Sequence, residues 1–177
     1  KEVEPAPEPI PEPVVEEEEP EINIDELVEQ ATTHIKEGAP KEALALLKPH
    51  LKTVGAQHAG AWRIAGGAMA RLDLDNHAIA AMTHAQNLEP THAPGWFNLG
   101  SVQQRSALVN EALASYRRAV EADSTYAKAA EKMAALAEEH GRIEPYMEAA
   151  RLLLQMDGEH VIGEAYATML IQLAQGE

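Results

Sequence analysis

Ala93-Pro94-Gly95-Trp96-Phe97-Asn98-Leu99-Gly100 repeats the bulky and small positions of Ala59-Gly60-Ala61-Trp62-Arg63-Ile64-Ala65-Gly66, which lies 34 residues earlier. The register continues beyond both stretches. Ala78 matches Ala112, Ala85 matches Ala119 and Ala93 matches Ala127. Met82 answers to Tyr116, and Pro90 to Ser124. A period of this length is the signature of stacked helix pairs, because one pair cannot bury its apolar face alone. Such arrays bind other chains more often than they catalyse.

The pattern between these residues is helical from Asn23 onward. Apolar residues recur at three- and four-residue spacing, and no run alternates as a strand would. Gly38-Ala39-Pro40 closes one helix and opens the next. Helices are predicted over 59–72, 76–88, from a Thr91 cap to about 106, from near Tyr126 after a Ser124 cap, and over 162–174; another ends at His140-Gly141-Arg142. Leu74-Asp75-Asn76 is expected to supply cap residues. The sum is four antiparallel pairs and a terminal helix. Pro49, inside the second helix, is expected to bend it by removing a backbone hydrogen bond.

The repeated side chains have physical roles in this reading. Trp62 and Trp96 wedge between the helices of their own pairs. Gly66 and Gly100 let the second helix approach, with Ala78 and Ala112 facing them. Met82 and Tyr116 are expected to reach into the next pair.

Residues 1–22 differ in kind. They hold nine Glu, one Lys and six of the eleven Pro, and so carry −8 of the chain's net −15. Like charges repel and little apolar surface is available, so this stretch is expected to be a disordered acidic Pro-rich spacer with polyproline II character. A docking role for it on a basic surface is the alternative. A Pro/Glu spacer of this kind suits a tether to a membrane segment or domain upstream of Lys1. The compartment is left open between cytoplasm and periplasm. No run reaches the ~20 apolar residues of a membrane span, so no direct insertion by these residues is expected. Net negative charge argues against nucleic-acid binding. With no cysteine, neither disulfides nor thiolate chemistry arise.

Catalytic and metal signals are weak. His77 and His84 share a helix face but lie two turns apart, too far for one ion, and no His-Glu-x-x-His run occurs. Gly66-Gly67 falls within a helix rather than after a strand, so it is no phosphate cradle. The serines lack a Gly-x-Ser-x-Gly setting. No cofactor, metal or catalytic residue is assigned.

The set Trp96-x-x-Leu99-Gly100 with Ala112, Tyr116 and Ala119 resembles the tetratricopeptide repeat. Residues 59–92 carry it through Trp62, Gly66, Ala78, Met82, Ala85 and Pro90. Residues 127–160 are a degenerate copy, with Ala130 in the Trp position and Ala134 in the small one. Residues 24–58 are a weaker first copy through Leu27, Ala31, Ala43 and Leu47, and 161–175 would cap the array. The resemblance implies an all-α fold, a right-handed superhelical array of helix pairs over 23–177, whose first helices line a concave groove.

Keeping the helical phase, that groove would present Arg63, Gly67 and Arg71, then Phe97, Asn98, Ser101, Gln104 and Arg105, then Lys128, Glu131, Lys132 and Ala135. Its basic character favours an acidic peptide or a C-terminal carboxylate. Cochaperone members of the family hold terminal carboxylates in a two-carboxylate clamp. The corresponding positions are Arg63, Gly67, Asn98, Lys128 and Lys132, with Gly67 in place of an Asn. Phe97 is exposed by phase, either as an apolar anchor or packed on the neighbouring pair. The expected function is a protein-binding adaptor or scaffold. The alternatives are a self-assembling homo-oligomer and the repeat arm of a larger enzyme.

Overall fold

A computed structural model describes residues 22–176; of the expected spacer over 1–22, residues 1–21 lie outside them. Among the described residues there are nine helices and no strand: α1 (Ile24–Lys36), α2 (Pro40–Leu47), α3 (Ala59–Arg71), α4 (Asp75–Leu88), α5 (Ala93–Arg105), α6 (Val109–Ala122), α7 (Ala127–Glu139), α8 (Ile143–Met156) and α9 (Gly163–Gln175). Consecutive helices pack as pairs, α1 with α2, α3 with α4, α5 with α6 and α7 with α8. Each second helix then packs on the first helix of the following pair. In addition α3 touches both α1 and α5.

The tryptophans occupy equivalent surroundings. Trp62 Nε1 donates to Ala56 O at 3.2 Å, and Trp96 Nε1 donates to Pro90 O at 2.8 Å, each six residues upstream. Their faces are covered from corresponding places on the second helix. His84 lies edge-on to Trp62 at 4.6 Å, and the Arg118 guanidinium sits 4.8 Å from the centre of the Trp96 ring. Trp96 is buried, whereas Trp62 is only partly so.

The small positions do what the repeat requires. A Cβ on Gly66 would lie 2.7 Å from Met82 Cγ, and one on Gly100 would lie 2.8 Å from the Tyr116 ring. The bulky side chain of each second helix therefore fills the hollow left by the glycine of its own pair. Met82 and Tyr116 also belong to the buried cluster that continues into the following helices. The Tyr116 hydroxyl donates to Gln104 Oε1 at 2.8 Å, back onto α5.

Helix ends follow a rule that the glycines alone only half reveal. Each of α1, α3, α5 and α7 is followed by a left-handed residue: Gly38 (φ 77°), Asp73 (φ 57°), Ala107 (φ 58°) and Gly141 (φ 60°). The next N–H reaches back to close the turn: Ala39 to His34 O at 2.8 Å, Leu74 to Met69 O at 3.0 Å, Leu108 to Gln103 O at 2.9 Å and Arg142 to Ala137 O at 2.7 Å. These are Schellman closures, which satisfy carbonyls the helix leaves open.

Helix starts differ from expectation. The N-cap of α5 is His92 rather than Thr91, with Nδ1 accepting from Gly95 N at 2.9 Å. His58 caps α3 in the same manner, accepting from Ala61 N at 3.0 Å. Ser124 caps nothing; Tyr126 takes the N-cap position of α7 without a side-chain bond. Likewise Leu74 precedes α4, and Asp75 is already its first helical residue. Pro49 does not bend α2. The helix ends at Leu47, and turns run from Lys48 to Gln57. Lys48 keeps helical angles (φ −52°, ψ −42°), but Pro49 has no N–H to continue the ladder, so the chain leaves the helix there rather than bending within it.

Candidate peptide-binding face

α3 touches α5, and Lys128 at the start of α7 reaches the Phe97 ring of α5; the predicted groove residues separate into engaged and available groups. Arg63 is engaged: its Nη2 donates to Glu89 Oε2 at 2.6 Å, with only 18% of its side chain exposed. Arg105 is engaged twice. It grips Asp75 through both nitrogens of its fork, Nε to Oδ2 at 2.9 Å, and donates to Ala70 O at 2.8 Å. This ties α5 to the start of α4 in the preceding pair. The Arg105 guanidinium holds the Asp75 carboxyl below the ordinary carboxylate range, and Asp75 in turn raises Arg105.

Phe97 is not an exposed anchor. It is 9% exposed and lies between Tyr116, 5.7 Å away, and Tyr126, 5.6 Å away and edge-on. The phase argument failed because Tyr126, at the start of the next pair, folds over the position. Lys128 Nζ stands 5.1 Å from the centre of the same ring, so its charge is poised above an aromatic face.

Ser101 and Gln104 are half-buried. Ser101 Oγ donates to Phe97 O at 3.0 Å, and Gln104 accepts from Tyr116. Both therefore spend part of their hydrogen-bonding capacity inside the pair. Asn98, Arg71, Lys128 and Lys132 are exposed. Arg71, Lys128 and Lys132 have no carboxylate partner among the described residues; Arg71 reaches only Gly67 O, at 3.4 Å. Gly67 has room beside it, since an added Cβ would meet nothing nearer than Arg71 Nη1 at 3.6 Å. Glu131 places one acid within this face, 4.0 Å from His160 Nε2.

The capping histidines are polar residues that the sequence reading missed. His92 is the informative one. Burial and, secondarily, the nearby Arg63 charge hold its imidazole below the ordinary range, against an opposing pull from Glu89. His160 repeats part of the arrangement with Nδ1 accepting from Ile162 N at 3.2 Å. The 34-residue step from His58 to His92 was the available signal. Among the described residues no cluster of three or more His, Asp or Glu side chains is placed to hold a metal, and no helix is long and apolar enough to cross a membrane.

Paired helices in register, with glycine hollows filled by the facing helix, define an all-α repeat protein with the tetratricopeptide-like fold. Solved structures agree. A crystal structure of MamA superposes with a TM-score of 0.70 at 21% identity, covering 77% of this chain and 80% of that one. MamA from residue 41 to its end, of Desulfovibrio magneticus RS-1, gives 0.64 at 18% identity over 85% of this chain and 91% of that one. A thermophilic TPR protein in Thermus thermophilus gives 0.60 at 20% identity, over 84% and 82%. No family model matches the chain, and no curated protein matches it. At such identities the likeness is one of fold.

Proposed function

We propose that this chain is a protein-binding scaffold whose expected groove receives an extended acidic segment or free C-terminus of another protein. What supports this reading is that Arg71, Lys128 and Lys132 of the expected groove, like Asn98, are exposed, and that the three cations have no carboxylate partner among the described residues of a chain of net charge −15. Arg63 and Arg105 are already neutralised by Glu89 and Asp75, so they shape the face rather than donate to a guest. Ser101 and Gln104 border it as secondary hydrogen-bonding groups. Charge-assisted bonds from lysine and arginine are the strong kind for a carboxylate ligand.

The test is fluorescence anisotropy with a labelled Glu/Asp-rich peptide bearing a free carboxyl terminus, compared with its C-terminal amide. The double substitution Lys128→Glu and Lys132→Glu should weaken binding of the acid form by tenfold or more, equivalent to about 1.4 kcal/mol. Equal affinity for wild type and double variant removes the reading. Gly67→Asn, at a position with room for a side chain, should widen the preference for acid over amide if two carboxylates are clamped.

A further inference from the structure

We propose that a cleft beside α7 receives a basic side chain of the guest, lysine or arginine, so that the guest carries a carboxylate and a cation a few residues apart. The proposal rests on the reading of this surface as a peptide groove and names a second group the peptide must bring.

The exposed charges near the middle of α7 fall on two edges. At about 100° per residue, Lys128 and Lys132 lie within about 40° of each other and Glu131 and Glu138 within about 20°, with Ala135 between the two groups. Glu139 shares the phase of the lysines but stands about 10 Å further along the helix. The contacts give each edge a different neighbour. Lys128 stands over the Phe97 ring of α5. Glu131 and Glu138 instead border a cleft of about 320 Å³ that extends to His160, Val161 and Ala165, on the way into α9. α7 therefore presents a basic edge toward α5 and an acidic edge toward α9.

Three features fit this cleft to a long cationic side chain. First, neither carboxylate is held by a lysine or arginine among the described residues. Glu131 meets only His160 Nε2, and at 4.0 Å that is beyond hydrogen-bond reach. Second, the walls between the acids are apolar. Ala134 and Leu153 line them, and Val161 is 90% exposed at the rim. Such a surface suits the aliphatic stem that lysine and arginine carry behind their charge. Third, Tyr146 lines the cleft with only 6% of its surface exposed, and its hydroxyl has no hydrogen-bond partner among the described residues. Burial and the Glu138 charge raise its pKa, so the hydroxyl stays neutral and can accept from an ammonium or guanidinium. A carboxylate would be repelled here. An uncharged apolar side chain would cover Glu131 and Glu138 without pairing them, which costs free energy. The volume is at the small end of the ~300–1,000 Å³ of ligand pockets, room for one side chain rather than a helix.

The test uses the full chain and fluorescence anisotropy with the labelled acidic peptide bearing a free carboxyl terminus. Lysine, arginine or norleucine is placed at each position upstream of the terminus in turn; norleucine keeps the stem and loses the charge. At one position lysine or arginine should bind about threefold to fivefold tighter than norleucine. Glu131→Gln with Glu138→Gln should remove that preference and leave the preference for free acid over amide. Glu111→Gln with Glu121→Gln on α6, an equal change in net charge, should leave both. A preference lost equally in the two double variants is general attraction to an acidic molecule, and it overturns the proposal. Firm binding of the acidic peptide with no position favouring a cation also overturns it, while the groove reading stands. No binding of any peptide removes the groove reading and the role of the cleft together.

Discussion

Tyr116 occupies the space that a side chain at Gly100 would need: the ring lies 2.8 Å from where a Cβ would stand, and Ala112 O lies 3.3 Å from it. Tyr116 is fully buried and held at its hydroxyl by Gln104, so it cannot swing aside. Gly100→Ala should destabilise the fold by about 1–3 kcal/mol, the usual range for overpacking, despite the better helix propensity of alanine. At Gly66 the obstacle is the flexible Met82 side chain, and the cost should be smaller. Urea titration of both variants checks the order; equal losses would mean that the ring yields as easily as the thioether.

Trp96 and Trp62 hold equivalent positions at different depths. Trp96→Ala should cost about 3–5 kcal/mol, as for other buried aromatics, and Trp62→Ala distinctly less because its ring is only partly covered. Thermal unfolding followed by far-UV circular dichroism distinguishes them. An inverted order would contradict the burial on which the comparison rests.

Ala107 holds a left-handed conformation, φ 58°, at a place where α1 and α7 use glycine. Glycine adopts that region without steric cost. Ala107→Gly should therefore stabilise by about 0.5–1 kcal/mol, and Gly141→Ala should destabilise by a similar amount. Chemical denaturation of the two reciprocal variants provides the check.

His92 gives a pH dependence with a definite sign. Its neutral ring accepts the Gly95 N–H, and burial near Arg63 lowers its folded-state pKa. A depressed histidine contributes stability fully above the unfolded value of ~6.5 and loses it as pH falls through the lower folded value. Between about pH 7.5 and 5.5 the wild-type Tm should fall more than that of His92→Asn, which retains a capping acceptor but does not titrate. Parallel pH profiles for the two proteins would show that His92 does not carry the effect.

Which parts of this were legible beforehand depended on how far each feature reaches along the chain. The Gly66 and Gly100 hollows were legible, because the facing residue recurs at a fixed offset within one pair. The stops at Gly38 and Gly141 were visible from glycine; those of α3 and α5 were placed within a residue, but the left-handed turns at Asp73 and Ala107 were not read, because nothing in Asp or Ala announces a positive φ. The capping histidines went unread because a repeat pattern searched for apolar residues passes over polar ones.

The amino-acid order by itself determined the stacked helix pairs, since small and bulky residues spaced 34 apart admit few other ways of excluding water. Only the tertiary structure decided which cations of the expected groove are available. Glu89 neutralises Arg63 and Asp75 neutralises Arg105 across 26 and 30 residues, and Tyr126 closes over Phe97 from the following pair. Charge and burial at one position are set by whichever groups arrive from elsewhere in space, a dependence that helical phase along a single segment does not contain.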